Sequence, residues 1–198
     1  MIVVEPYADS VKITGYQIEL KPVGKEDLDL LLTWRNSVPI RQRMINDAVI
    51  SREDHYAWYQ RLQRDLSQRH WLVSYKGRPI GSTNVRTRKS GLAVTEAAQL
   101  EPGLYIGEER FQGNLIAFAP TLALYDYCFG ELNIQSMVAV IKAENTAALK
   151  YNLQLGYQTI RQQDWVEMSL QSSCYQRHNE NIKKLLSRPR RTASKGTE

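Results

Sequence analysis

The stretch Tyr105-Ile-Gly-Glu-Glu-Arg-Phe-Gln-Gly-Asn-Leu-Ile-Ala117 decides how the rest of this chain reads. It starts as the end of a strand around Gly103 to Gly107, crosses a polar loop with a glycine, and enters a helix. The pattern places the helix start near Ala117 to Pro120 and its end near Phe129. Pro120 suits a first helical turn, where no N–H is needed. A loop of this kind gathers backbone N–H groups at a helix N-terminus, where the dipole favours an anion, and small residues let the backbone come close. Gln112, Gly113, Asn114, Leu115, Ile116 and Ala117, with Ile106 on the strand behind them, are therefore candidate contacts for an anionic ligand. Taken alone, Gln112-Gly113-Asn114 is equally a plain polar turn.

Working outward, the pattern upstream gives a strand at Tyr16 to Pro22 and helices at Lys25 to Trp34 and Ile40 to Met44. A third helix runs from Ser51 to Arg64, opened by Ser51-Arg-Glu-Asp54 at capping-box spacing. His70 to Tyr75 and Pro79 to Arg86, joined by Lys76-Gly77-Arg78, form a hairpin pattern. Downstream come a strand at Ser136 to Ile141 and a helix at Asn145 to Leu155 closed by Gly156, which suits a left-handed cap. Strands at Tyr157 to Arg161 and Trp165 to Leu170 follow, then an amphipathic segment at Arg177 to Leu186. No repeat or inter-domain linker interrupts this order. It implies an α/β (α+β) domain, a mixed central sheet with helices on both faces.

With 198 residues, 42% of them hydrophobic, the chain can bury a core without staples. No apolar run approaches the roughly 18–20 residues that cross a bilayer, and Met1 to Ser10 carries acids where a signal peptide would be basic and then apolar. A cytoplasmic setting without membrane contact is expected. Two cysteines are too few for a disulfide framework or a four-thiolate site. His55, His70 and His178 lack metal-ligand spacing, so no metal is expected. The net charge is +5, and from Lys183 onward six basic residues face one acid, so residues 1–182 sum to zero. The domain is placed at 1–182 and a basic, disordered tail at 183–198. A neutral body argues against a nucleic-acid groove.

The stretch 105–117 resembles the acetyl-CoA-binding segment of the GNAT acyltransferases, in which a strand runs into Gln/Arg-x-x-Gly-x-Gly/Ala and a helix follows. Asn145-x-x-Ala148, then Gly156-Tyr157, resembles the same family's downstream helix and turn at its usual spacing. The resemblance spans about residues 16–170 and implies a single GNAT-like domain with acetyl-CoA as co-substrate and Asn145 beside the donor. Two positions depart from the family. Leu115 stands where a glycine is expected; its side chain either obstructs the phosphate approach or turns away while its N–H still faces the ligand. Asn152 stands where many members have a tyrosine acid; it offers a hydrogen bond to the departing sulfur but a poorer proton.

In the N-terminal half, Trp34-Arg35-Asn36, Ile40-Arg41-x-x-Met44 and the Tyr75-Lys-Gly-Arg-Pro-Ile-Gly81 hairpin look most like amino-sugar acetyltransferases of pseudaminic acid synthesis, and like the ribosomal-protein N-terminal acetyltransferases. The resemblance implies a small amine acceptor, a nucleotide-linked amino sugar, and a homodimer. An indole at Trp34 suits stacking, Arg35 a diphosphate and Asn36 a sugar hydroxyl, with His55 nearby. The expected chemistry is direct attack of a neutral amine on the thioester. The oxyanion would rest on N–H groups near Ile106 to Glu108, where the strand splays from its neighbour. Glu108 is the candidate base, with Ser82 or Asn84 ordering its water. Competing expectations are a protein N-terminal acetyltransferase of the same fold and a degenerate GNAT-fold binding module.

Overall fold

In strand β4 (Gln68–Tyr75) successive side chains point to opposite faces, and each face meets its own core. Trp71 and Val73 pack into one cluster with Leu122 and Leu124, while Leu72 packs into another with Leu28, Leu31, Trp34 and Ile40. The computed structural model describes residues 3–7 and 10–188, with side chains from residue 11 onward. Around β4 lie β1 (Val3–Tyr7), β2 (Ser10–Gly15), β3 (Ile18–Pro22), β5 (Arg78–Thr87), β6 (Gln99–Ile106), β7 (Ser136–Lys142), β8 (Gln158–Gln162) and β9 (Trp165–Gln171). They form one sheet in the order β1-β2-β3-β4-β5-β6-β7-β9-β8. Only the β6–β7 pair is parallel, so the sheet is mixed, as expected.

Helices α1 (Leu28–Asn36), α2 (Val38–Arg41) and α3 (Arg52–Leu62) cover one face. The other carries α4 (Ala119–Gly130), α5 (Thr146–Leu155), α6 (Ser172–His178) and α7 (Glu180–Leu186). Helix α4 is buried nearly all round, which its composition of Ala, Leu, Tyr, Cys and Phe permits. Its charged residue is Asp126, whose carboxylate accepts hydrogen bonds from the Tyr16 and Tyr175 hydroxyls and from Lys183 Nζ.

Two sequence expectations are corrected here. Tyr16 and Gln17 are not strand residues but the two-residue turn between β2 and β3, at φ 52° and 67°. Neither residue type signals such a turn, which ordinarily takes Asn or Gly. Tertiary bonds hold it instead: the Tyr16 hydroxyl donates to Asp126, and Gln17 Nε2 donates to the Leu186 carbonyl at 2.9 Å. The boundary drawn at 182 falls inside α7, because Lys183 is ion-paired with Asp126 and Leu186 is buried. The expected tail beyond 188 lies outside the described residues. No described helix is long and apolar enough to cross a membrane.

Candidate active site

The site begins with a failed strand pairing. β6 and β7 align only at Gln99↔Ser136 and Leu100↔Met137, then diverge. Backbone alternation explains where the pairing stops. The Gly107 N–H donates to the Ile80 carbonyl at 2.8 Å, so odd-numbered β6 residues turn their backbone groups toward β5. The Ala98 carbonyl accepts from the Gln135 N–H at 2.8 Å, so even-numbered ones turn toward β7. The next even residue with a donor to give would be Pro102, which has no N–H. Beyond it a cleft of about 560 Å³ opens. The cleft passes through the sheet. On the α4–α5 face it is walled by Ala117, Phe118, Thr121 and Tyr151, and on the α1–α2 face by Ile40, Met44 and Tyr105. By the same alternation the N–H groups of Leu104 and Ile106 face this gap.

The loop after β6 frames one mouth. Gln112 Nε2 donates to the Ile106 carbonyl at 2.9 Å and folds the loop back onto its strand. Asn114 caps the short 3-10 turn Leu115–Phe118: its Oδ1 accepts the Ile116 N–H at 3.0 Å and its Nδ2 donates to the Arg110 carbonyl. Gly113 sits at φ 67°, a conformation that costs other residues. The N–H groups of Gly113, Asn114 and Leu115 have no protein acceptor among the described residues. Leu115 is 40% exposed and absent from the cleft wall, so its side chain does not block the channel. Ile116 also lies outside the cleft, on the far side of the loop. Asn145 lines the cleft while its Oδ1 accepts the Ala148 N–H, starting α5, and Gly156 at φ 95° ends that helix.

Several expected site residues have other work. The Trp34 indole is 7% exposed and lies against Gly107, leaving no face for an acceptor. Asn36 is spent holding Ile50, whose N–H it accepts at 2.9 Å and to whose carbonyl it donates at 2.8 Å. His55 is buried in the α1–α3 layer, stacked on Trp58, and burial lowers its pKa. Ser82 is buried with its hydroxyl donating to the Trp71 carbonyl at 2.9 Å. Glu108 pairs with Arg78 at 2.8 Å, away from the cleft wall. The N–H groups of Gly107 and Glu108 both donate to Ile80, so two of the expected oxyanion donors are occupied; Ile106, also expected, and Leu104 are the open ones. Asn152 does line the cleft, yet its Nδ2 donates to the Ala148 carbonyl of its own helix at 2.9 Å.

Arg35 is not on the cleft wall itself but neighbours Tyr105, which is. Its Nη2 donates to the Asn46 carbonyl at 2.6 Å, its pKa is lowered by burial, and its Nη1 is buried without a partner. Arg41 Nε is buried and unpartnered as well, and Arg43 lines the cleft itself. Three residues that the pattern did not single out complete the walls. The Tyr151 hydroxyl sits 2.6 Å from Thr121 Oγ1 and donates to the Ala117 carbonyl at 3.1 Å; burial pushes its pKa up. Tyr105 is pushed up to about 12 by burial, against a smaller opposing effect from its hydrogen bond with Ser82. Among the described residues the carboxylate on the cleft wall is Glu101, held by Arg86. Helical rotation alone suggests that Tyr151 and Asn152 diverge. Both reach the cleft because it runs along the flank of α5.

Residues 17–158 match the family described as an acetyltransferase (GNAT) domain, well over half of the chain. The chain belongs to the GNAT acetyltransferase family. Solved structures share this GNAT fold at low identity. An uncharacterised protein from Bacillus halodurans is 16% identical over 94% of this chain and 97% of its own, with TM-score 0.72. Spermidine N-acetyltransferase from Vibrio cholerae, in complex with CoA and spermine, is 21% identical over 81% and 98%, with TM-score 0.69. Campylobacter jejuni N-acetyltransferase PseH, in complex with acetyl coenzyme A, is 21% identical over 78% and 99%, with TM-score 0.58. No curated protein sequence matches this GNAT acetyltransferase.

Proposed function

We propose that this GNAT acetyltransferase moves the acetyl group of acetyl-CoA onto the primary amine of a small acceptor that carries phosphate, such as a nucleotide-linked amino sugar. The observation that carries the donor half is the through-sheet gap with three unpartnered loop N–H groups, at residues 113–115, on its rim. Concentrated negative charge is what such a group of donors binds. The pantetheine arm lies between β6 and β7, and the thioester oxygen meets the N–H of Leu104 or Ile106. The amine enters from the α1–α2 face and attacks the carbonyl directly. Glu101, on that face with Tyr105, takes the amine proton. Tyr151, kept protonated by burial, turns its hydroxyl from the Ala117 carbonyl to donate a hydrogen bond to the departing sulfur. The acceptor's phosphate is met by Arg35, Arg41 and Arg43, two of which carry buried guanidinium nitrogens without partners. The same three cations disfavour a polyamine. Both cysteines are free, which suits a reducing, cytoplasmic compartment.

The test is release of free CoA thiol from acetyl-CoA with nucleotide-linked amino sugars, polyamines, aminoglycosides and N-terminal peptides as acceptors. Turnover should be highest with a phosphate-bearing sugar, and Arg35→Ala should raise the KM for it about tenfold or more. Preference for a peptide or a polyamine would reject the acceptor, and absence of CoA binding by calorimetry would reject acyl transfer altogether.

A further inference from the structure

Lys142 ends β7, and its neighbours fix where its side chain goes. One residue back, Ile141 pairs with Val166, and both are buried in the core beneath α4 and α5. Alternation then turns Lys142 and its own partner Trp165 onto the opposite face, where α1 and α2 lie. Both residues line the cleft. Trp165, on β9, flanks Lys142 on one side, and the gap left by β6 is on the other. The height along that gap follows from the pairing that precedes it. Carried forward from Gln99↔Ser136 and Leu100↔Met137, the parallel register sets Lys142 level with Tyr105. Half-buried, Lys142 stands across the gap from the open N–H groups of Leu104 and Ile106. Lys21, Lys183 and Lys184 are each held by a carboxylate, whereas among the described residues Lys142 forms no ion pair.

Acetyl transfer to a primary amine needs that amine beside the thioester, and here the chain supplies one of its own. Paired strands stand about 4.8 Å apart, and the flexible stem of a lysine reaches across a gap somewhat wider than that. We propose that Lys142 is a site of self-acetylation: with acetyl-CoA bound and no acceptor in place, its Nζ takes the acetyl group. The placement rests on the donor reading above, which sets the thioester at Leu104 and Ile106. The Lys142 ammonium first gives one proton to solvent. Its nitrogen then attacks the carbonyl carbon, the N–C bond forms and the C–S bond breaks. The thiolate leaves as free thiol with the next proton of that nitrogen. The product is a neutral amide at the α1–α2 mouth of the cleft. An amide is no acyl donor, so the modification is terminal and not an intermediate. Because nucleophile and thioester are held in one cleft, the step is first-order in the loaded chain. Lys150 also lines the cleft, but from α5 on the other face, and should remain unmodified.

The test is incubation with acetyl-CoA alone, read by intact mass and peptide mapping. One acetyl group should appear per chain, on Lys142, at a rate that saturates with acetyl-CoA and is unchanged when the protein is diluted. Lys142→Arg, checked for a wild-type unfolding midpoint, should take up label at least about tenfold more slowly; mapping of the wild type decides independently of that variant. Label scattered over exposed lysines, a rate on Lys142 that falls with dilution, or undiminished uptake by Lys142→Arg would each overturn the proposal. So would a chain that binds coenzyme A by calorimetry yet stays unlabelled. A chain that binds none would reject the donor reading, and the proposal with it.

Discussion

Trp34 and Gly107 illustrate how a side chain's job is set by what stands opposite it. A Cβ added at Gly107 would fall 2.2 Å from the Trp34 ring, and that indole is buried against the α1 layer with little room to retreat. Gly107→Ala should therefore cost about 1–3 kcal/mol of stability, read from urea unfolding. His70 gives a pH signature. Burial lowers its pKa from 6.5 to about 4, so the folded chain keeps it neutral where the unfolded chain takes up a proton. The sign follows: its contribution is constant above about pH 6.5, and stability falls progressively as pH drops from there toward 4. The loss should reach about 2–3 kcal/mol, and His70→Gln should flatten the urea midpoint over that range. At the sulfur end, Tyr151→Phe should lower kcat about tenfold or more, whereas Asn152→Ala, which gives up only a bond within its own helix, should change it less than threefold. Gly156 was legible beforehand, since a left-handed helix end asks for its type, whereas the capping bonds of Asn114 and Asn145 were not read from the sequence. Trp34, Asn36 and Glu108 were not, because their partners Gly107, Ile50 and Arg78 lie far along the sequence.

The strand and helix order was readable from periodicity and caps, and β6 to α4 and β7 to α5 came out close to expectation. The β2–β3 turn was not, since Tyr16 and Gln17 owe their positive φ to Asp126 and Leu186 rather than to local preference. Between those extremes stands the parting of β6 from β7. A splay was anticipated, but its place is set by one imino acid: Pro102 cannot donate to the Val138 carbonyl that the ladder would offer next. Pro102→Ala restores that donor. The expected result is a cleft that closes by part of a turn of pairing, with unfolding midpoint unchanged or raised and the KM for acetyl-CoA up about fivefold. An unaltered KM would mean that divergence is imposed by α5 instead.

Asp126 ties together parts that are distant in the chain: the β2–β3 turn through Tyr16, α6 through Tyr175, and α7 through Lys183 at 2.6 Å. Asp126→Ala would strand the Tyr16 hydroxyl and the Lys183 ammonium in a partly buried setting, while the Tyr175 hydroxyl keeps the Leu122 carbonyl. It should cost about 3 kcal/mol and expose the α6–α7 segment to limited proteolysis. The overall layering was legible because an alternating strand such as β4 demands cover on both sides; this hub was not, because nothing near Asp126 in sequence names its partners. The perforated sheet has a kinetic corollary. An opening on each face lets two reactants meet without sharing a doorway, and lets each spent molecule depart by the way it came. Plots of reciprocal velocity should intersect instead of running parallel, and neither leftover should have to wait for the other.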